Sequence, residues 1–549
     1  MAKQKSNSLY PLVILIGMLA TLALTPWVNV DALVIPKVII IFCSAMYLLP
    51  LVILNWKNYF QNRQLRILLI LVICMIVQMV FVISSSLAPI EQQIFGKTGR
   101  GQGFLVEVSI LIITLISAMY VEFRRIHFLI NGLIFSVFIS SIYSILQRFG
   151  LDLFSWYSRT NGIIGTLGNP NFQGALAAIA IVPAASYIWH KELKFKISAA
   201  IAIFTLIYTI YICQSTQGYI VAILSIATNL LVYLWYKNRL VFVGSLLVTG
   251  VAGLSSAAGI FNIGPLSGYL YKPSITSRGE FMRTAITGAN DNPIFGVGLD
   301  SFGDVSQFYK SAKDYAGINE FTDNAHNYFL QYSVTGGYLL AFLYFSLILL
   351  TLGSFFTIQK KLGKFDAKLA AIFSAWVGIQ AQSLISPGTI PLILWVSIIN
   401  GSIIGLSVWG IQERDNQTPS ANNLFKPFGY LLLFLGLIIS YPYFDVDRLQ
   451  LKSLNSKDAI LAVKSAQSYP KASVRYSQIG IKLLESGLPE QALEVGRAAV
   501  KFNPNALTAW ALILANSSAP MAERKNAQQE ILRLDPFNND IRKIEFPNQ

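Results

Sequence analysis

Apolar stretches of about 20 residues, long enough to cross ~30 Å of hydrocarbon as helix, recur from position 9 to position 444 and then stop. They occupy 9–27, 32–54, 67–86, 104–121, 128–147, 172–189, 197–215, 219–236, 240–260, 328–356, 369–385, 390–408 and 428–443. The pattern predicts an all-α, polytopic membrane protein with about 13 transmembrane helices. A large loop, 261–327, separates the ninth and tenth, and the chain from 445 on reads as a soluble helical domain.

Composition agrees with this class. Hydrophobic residues make up 54% of the chain and charged residues 13%, with a mean hydropathy of +0.54, which is hard to reconcile with a solvated surface. Lys and Arg mark alternate connections: Lys3/Lys5, Lys57/Arg63/Arg66, Arg124/Arg125, Lys191/Lys194/Lys196, Lys237/Arg239, Lys360/Lys361/Lys364/Lys368 and Arg414/Lys426. Cationic loops are retained in the cytoplasm, so the N-terminus is expected inside and the tail outside, in a bacterial inner membrane. The first apolar run has no small-residue cleavage site before Asn29 and Asp31 and is expected to stay as a signal anchor. The net charge of +15 reports this topology and contact with membrane lipids; no basic patch with interleaved aromatics suggests nucleic acid. Cys43, Cys74 and Cys213 all fall inside apolar segments and form no disulfide or metal pattern.

Four segments are expected outside: 87–103, 148–171, 261–327 and the tail. The first three carry cations against the usual trend, among them Lys97, Arg100, Arg148, Arg159, Lys272, Arg278, Arg283, Lys310 and Lys313. Arginine placed there is expected to hold an anion at the membrane surface. In the tail, Pro470, Pro504 and Pro536 are 34 and 32 residues apart, and Tyr476, Gly480, Ala492, Ala499 and Pro504 sit where a tetratricopeptide repeat wants aromatic, small and Pro residues. Such repeats stack into a binding surface for a protein partner. The tail is expected to touch the membrane part only through residues 443–448. Two motifs mislead. Gly96-Lys97-Thr98 lacks the earlier glycine of a phosphate loop, since Glu91 stands there. Asp445-Val446-Asp447 resembles a metal-holding acidic pair but follows the last span, where nucleotide sugars are not supplied.

The outer loop contains, in order, Ser277-Arg278-Gly279-Glu280, Asn292-Pro293-Ile294-Phe295-Gly296-Val297-Gly298 and Asn324-Ala325-His326-Asn327-Tyr328, followed by Gly336-Gly337 in the next helix. With the stretch RTNGIIGTLGNPN at 159–171, this set resembles the O-antigen ligase and polymerase family, which includes ligase-like protein O-oligosaccharyltransferases. The resemblance covers roughly 161–405 and implies transfer of a glycan from an undecaprenyl-diphosphate carrier to an acceptor hydroxyl outside the membrane, with no metal and no cofactor. A diphosphate leaving group calls for guanidinium forks: Arg278 first, helped by Arg159, Arg100 and Lys97. A poor hydroxyl nucleophile calls for a group that takes or orients its proton, and His326 is the one external histidine, since His127 and His190 abut cytoplasmic ends. Asn324, Asn327, Gly296 and Gly298 complete the motif.

One position departs from the family. Its ligases carry Ser-Arg where the seventh span meets the outer surface, and here the chain reads Ser215-Thr216-Gln217-Gly218. Gln217 can hydrogen-bond a phosphate but cannot neutralise it. The expected organisation is 1–160 as N-terminal spans, 161–410 as the ligase-like domain, 411–444 as linker and last span, and 445–549 as the repeat domain. A lipid or protein acceptor, a growing polymer in a polymerase, and a lipid-linked glycan transporter remain open. Lys37, inside the second apolar run, is the clearest intramembrane charge a transporter would need. A transferase of the dolichol-phosphate type would use an acid in the first outer loop, where Asp31 stands without a second. The charge alternation predicts that alkaline phosphatase fused after residue 460 is active and fused at Lys194 or Lys361 inactive; an inactive fusion at 460 would reverse the topology.

Overall fold

The computed structural model describes the chain except residues 1–8, 158–161, 261–262, 271–272, 313–320, 410–423 and 547–549. Among the described residues the fold is all helix, without a strand. The apolar segments of the sequence are helical. Among the described residues, eight helices, from Ile35–Leu54 to Phe425–Leu454, are long and apolar enough to cross a membrane, and Tyr10–Leu22, Phe104–Tyr120, Pro170–Ala185 and Arg239–Ser255 are apolar but shorter. This is a multi-pass membrane protein.

Helix Ile390–Trp409 lies at the centre, with every side chain from Ile390 to Ser407 buried. It packs on Phe104–Tyr120, where a Cβ at Gly401 or Gly405 would come within 2.2 Å of the Thr114 or Ala118 carbonyl oxygen. Small residues that let backbones touch are how helices associate where lipid supplies no hydrophobic drive. At the periphery, Leu193–Ile212, Thr216–Lys237 and Arg239–Ile260 turn Phe204, Ile223, Val248 and Leu254 outward, the face that hydrocarbon would cover.

The long helix Tyr328–Leu362 is interrupted at Gly337, whose φ is +78°. Into this break lies the segment 292–298. Tyr338 N donates to Pro293 O (2.8 Å) and Val297 N to Val334 O (2.8 Å), while Gln78, reaching from Arg63–Ser85, donates to both Ile294 O (2.7 Å) and Gly336 O (2.9 Å). Peptide groups freed by the break are thereby satisfied. A Cβ at Gly337 would stand 2.1 Å from Ile294 O, and one at Gly296 (φ +64°) 2.5 Å from Thr335 C. The glycines of the two motifs are thus two sides of one junction. Ala285, Ala289, Phe302, Ala325 and Val334 form a small core beside it, which fixes helix Pro273–Asp291 against the start of Tyr328–Leu362.

Lys37 is buried, and its ammonium donates to Ala23 O (2.8 Å), Leu33 O (2.7 Å) and Thr166 O (2.9 Å). All three of its protons are used to pin one loop to another, the opposite of a mobile charge in a transport path.

Helix Phe425–Leu454 runs unbroken out of the apolar region into the tail, whose helix pairs Ser473–Glu485 with Pro489–Phe502 and Leu507–Leu514 with Met521–Leu534 pack in succession. Tyr476, Ile479, Ala492 and Ala499 are buried in its own core. The expectation that the tail touches the membrane part only through 443–448 is wrong. Asn503 Nδ2 donates to Asp304 Oδ2 (2.9 Å), Phe95 meets Tyr469, and Val30 packs on the tail core. Asp447 caps the backbone N–H groups of Val30 (2.7 Å) and Asp31 (3.2 Å), and Asp445 pairs with Arg448, so both members of the acidic pair are structurally engaged.

An alanine at Gly337 meets both a left-handed backbone, costing about 1–2 kcal/mol, and the Ile294 carbonyl. Gly337→Ala is therefore expected to lower the yield and melting midpoint in detergent. Gly353→Ala, in the same helix with open space around its Cβ, should be neutral or stabilising by up to about 1 kcal/mol. Equal melting midpoints for the two variants would show that the junction is not a structural lock.

Candidate active site

His326 precedes the first turn of Tyr328–Leu362 in a left-handed conformation, φ +52°. Such a backbone persists only when neighbours enforce it. Three do. Asn324 Oδ1 accepts from His326 N (2.9 Å), Ala325 N donates to Gln331 Oε1 (2.9 Å), and Asn327 Oδ1 caps the helix at Leu330 N (3.0 Å) while its amide donates to Leu384 O (3.2 Å). The two asparagines thus do the capping that a structural histidine would otherwise perform. The imidazole is left over: Nδ1 is buried without a hydrogen-bond partner, and Nε2 has no protein partner among the described residues.

Helix Pro273–Asp291 supplies the facing wall. Phe281 places its ring 5.1 Å from the His326 ring, and Arg278, three residues earlier and so on the same face, comes with it. Arg278 is half-buried and makes no ion pair with a carboxylate among the described residues. Burial works against its charge, although a guanidinium stays protonated.

The loop between Ile90–Phe95 and Phe104–Tyr120 brings Lys97 and Arg100. Both are held by aspartates. Lys97 Nζ donates to Asp304 Oδ1 (3.1 Å) and its backbone N–H to Asp300 Oδ2 (2.7 Å). Arg100 grips Asp323 with both Nε (2.9 Å) and a terminal nitrogen. Cations this deeply placed need a countercharge, and the outer loop provides it. Arg159 lies outside the described residues. Gln217 is buried at the start of Thr216–Lys237, where its carbonyl accepts from Gln382 (2.8 Å), two residues before Leu384 and the Asn327 contact. Gly296 belongs to the helix-break junction, and Gly298 lets the chain pass Ala88 closely.

Charges follow from this packing. Burial opposes ionisation of Asp323, but the Arg100 guanidinium, with Lys97 and His326 near, holds its carboxyl below the usual range. Burial raises Asp300 to about 6 against the pull of the Lys97 and Gln102 N–H groups and Arg100. Burial and then the fields of Arg100 and Arg278 push the His326 imidazole down to about 4, with Asp323 partly opposing. At neutral pH the ring is uncharged and its lone pair uncommitted. Sequence reasoning missed Asp300, Asp304, Asp323 and Phe281. The run Gly298-Leu299-Asp300-Ser301-Phe302-Gly303-Asp304, directly after the glycine motif, was the available signal for the first two.

A family model described as O-antigen ligase matches residues 201–345. The match holds Gln217, Arg278, the Asn292–Gly298 motif and His326, and excludes the Lys97–Arg100 loop and the tail. No curated protein matches the chain.

The depressed imidazole gives a direct test by carbethoxylation, which needs the neutral ring. Modification of His326, followed by peptide mass spectrometry, should hold its plateau as pH falls through the normal histidine range near ~6.5 and drop only around pH 4. Arg278→Ala removes a positive field and should move the midpoint upward. A wild-type midpoint near that of free histidine would show that the ring does not feel these cations.

Proposed function

We propose that the chain transfers a glycan from a lipid-diphosphate carrier, undecaprenyl diphosphate by resemblance, to an acceptor hydroxyl on the outer face of a bacterial inner membrane. The observation that carries this reading is a guanidinium, Arg278, that pairs with no carboxylate among the described residues, set near an imidazole, His326, neither of whose nitrogens is engaged by them. The first suits a diphosphate, which accepts bidentate hydrogen bonds and carries the charge that Arg278 lacks a partner for. The second suits a hydroxyl proton.

On this reading the acceptor oxygen bonds to the anomeric carbon as the bond from that carbon to the diphosphate oxygen breaks. The electron pair leaves with the diphosphate and the hydroxyl proton passes to His326. Substrate charge couples the two roles. Burial, and after it the fields of Arg100 and Arg278, holds the imidazole at about 4, and a bound diphosphate cancels the part due to that field, raising its proton affinity when a base is needed. Arg100, committed to Asp323, supports this charge from behind. Thirteen crossings, matching the apolar segments, put site and tail on the same outer side, and the tail is read as tetratricopeptide-like.

His326→Ala is expected to slow transfer by about 10²- to 10⁴-fold with donor binding retained. Arg278→Ala should weaken donor binding, and Arg278→Lys should not restore it because the fork is lost. Since kcat reports the substrate complex and kcat/KM the free enzyme, the acid limb of kcat should lie at higher pH than that of kcat/KM. The measurement is transfer from purified undecaprenyl-diphosphate glycan in detergent, with donor binding followed separately. Wild-type turnover in His326→Ala would remove the base from this scheme.

A further inference from the structure

The outer loop and the tail enclose a cleft of about 600 Å³ that neither His326 nor Arg278 lines, a volume within the range of small-molecule and oligomer sites. From the geometry of this cleft we infer a second substrate site, one that seats a neutral oligosaccharide.

The tail wall is polar, with Asn505 and Arg533; the loop wall presents Phe308 and Tyr309, edge to face at 5.1 Å. Asn292 Nδ2 donates to the Tyr309 hydroxyl (2.8 Å) and fixes that ring. Phe308 is 48% exposed, in a cleft whose apolar lining, Leu87, Ile294 and Val297 among it, is interrupted by the amides of Asn292, Asn503 and Asn505. At the rim the Ser86 hydroxyl is buried without a partner. A sugar ring has one face of C–H groups and a girdle of hydroxyls, and it fits an aromatic platform opposed by amide and guanidinium donors.

Charge narrows the ligand. Among the described residues, Asp304 and Arg533 are the only charged ones lining the cleft, and both are paired: Asp304 with Lys97 (3.1 Å), Arg533 with Glu530 (2.7 Å). A diphosphate or an anionic headgroup would find no unpaired cation here. The walls are helices and turns, with no open strand edge to pair with an extended peptide.

The cleft also shares a wall with the centre. Asp304 faces the cleft with one side and Lys97 with the other, and a Cβ at Gly303 would lie 2.8 Å from Asp323 Cα. Asn503 Nδ2 bonds Asp304 (2.9 Å) and Ser473 (3.0 Å), so the tail closes the wall. A saccharide held here lies beside the place where its end reacts. Which substrate owns that saccharide rests on the transfer reading; the binding itself does not.

The test uses the full chain in detergent and carrier-free oligosaccharides released by mild acid from the producing cell's surface polysaccharide. Titration followed by saturation-transfer NMR should show saturable binding, weakened roughly tenfold by Phe308→Ala or Arg533→Ala, the size of losing one good contact. Both side chains are exposed, so melting midpoints should not move. His326→Ala should bind as wild type, which separates this site from the transfer centre. In transfer assays the two cleft variants should raise the KM of one substrate at unchanged kcat: the acceptor if the sugar belongs to it, the lipid-linked donor if it belongs there. Absence of saturable binding, binding unaffected by both substitutions, or preference for a peptide would overturn the proposal.

Discussion

A helix that stops hydrogen-bonding itself at Gly337 leaves peptide groups open at the edge of an apolar region, and there the cost of an unsatisfied N–H or C=O is several kcal/mol. The chain meets this by laying residues 292–298 into the gap and by spending Gln78 on two of the carbonyls. That repair fixes more than itself. It anchors the end of helix Pro273–Asp291 against Tyr328–Leu362, and the same two elements carry Arg278 and His326. The glycine motifs therefore act by setting the distance between two helices, and have no need to touch a substrate.

The cations around this junction divide by their partners. Lys97 and Arg100 are neutralised by aspartates from the outer loop, which ties three separate chain segments together. Arg278, less deeply buried, makes no ion pair among the described residues. In a medium where charge is costly, this asymmetry is what lets the proposed scheme give Arg278 to a diphosphate while the paired cations hold the frame. The His326 imidazole is depressed first by burial and then by the fields of Arg100 and Arg278.

Much of the frame was legible because membrane helices obey a length rule that any sequence displays. The order Arg278, Asn292–Gly298, His326 was legible for a different reason: the residue types are few and their spacing distinctive. What stayed hidden is pairing at a distance. Nothing in Asp304 announces Lys97, 207 residues away, or Asn503, 199 residues away. Lys97 and Arg100 looked free because the sequence lists charges without their partners. The break at Gly336-Gly337 was visible as a motif yet read as continuous helix, because two glycines in an apolar run do not by themselves say which dihedral they adopt.

The union of Asp304 with Asn503 has a meaning for how the protein is made. Chains are synthesised from the N-terminus, and domains settle in that order. Residues 92, 97 and 304 can meet early, but their wall is closed only when position 503 has been translated and helix Phe425–Leu454 has been threaded into place. The wall thus waits on a segment that is made 199 residues after Asp304. A nascent chain that stops short of position 503 would hold this wall without the amide that joins Asp304 to Ser473.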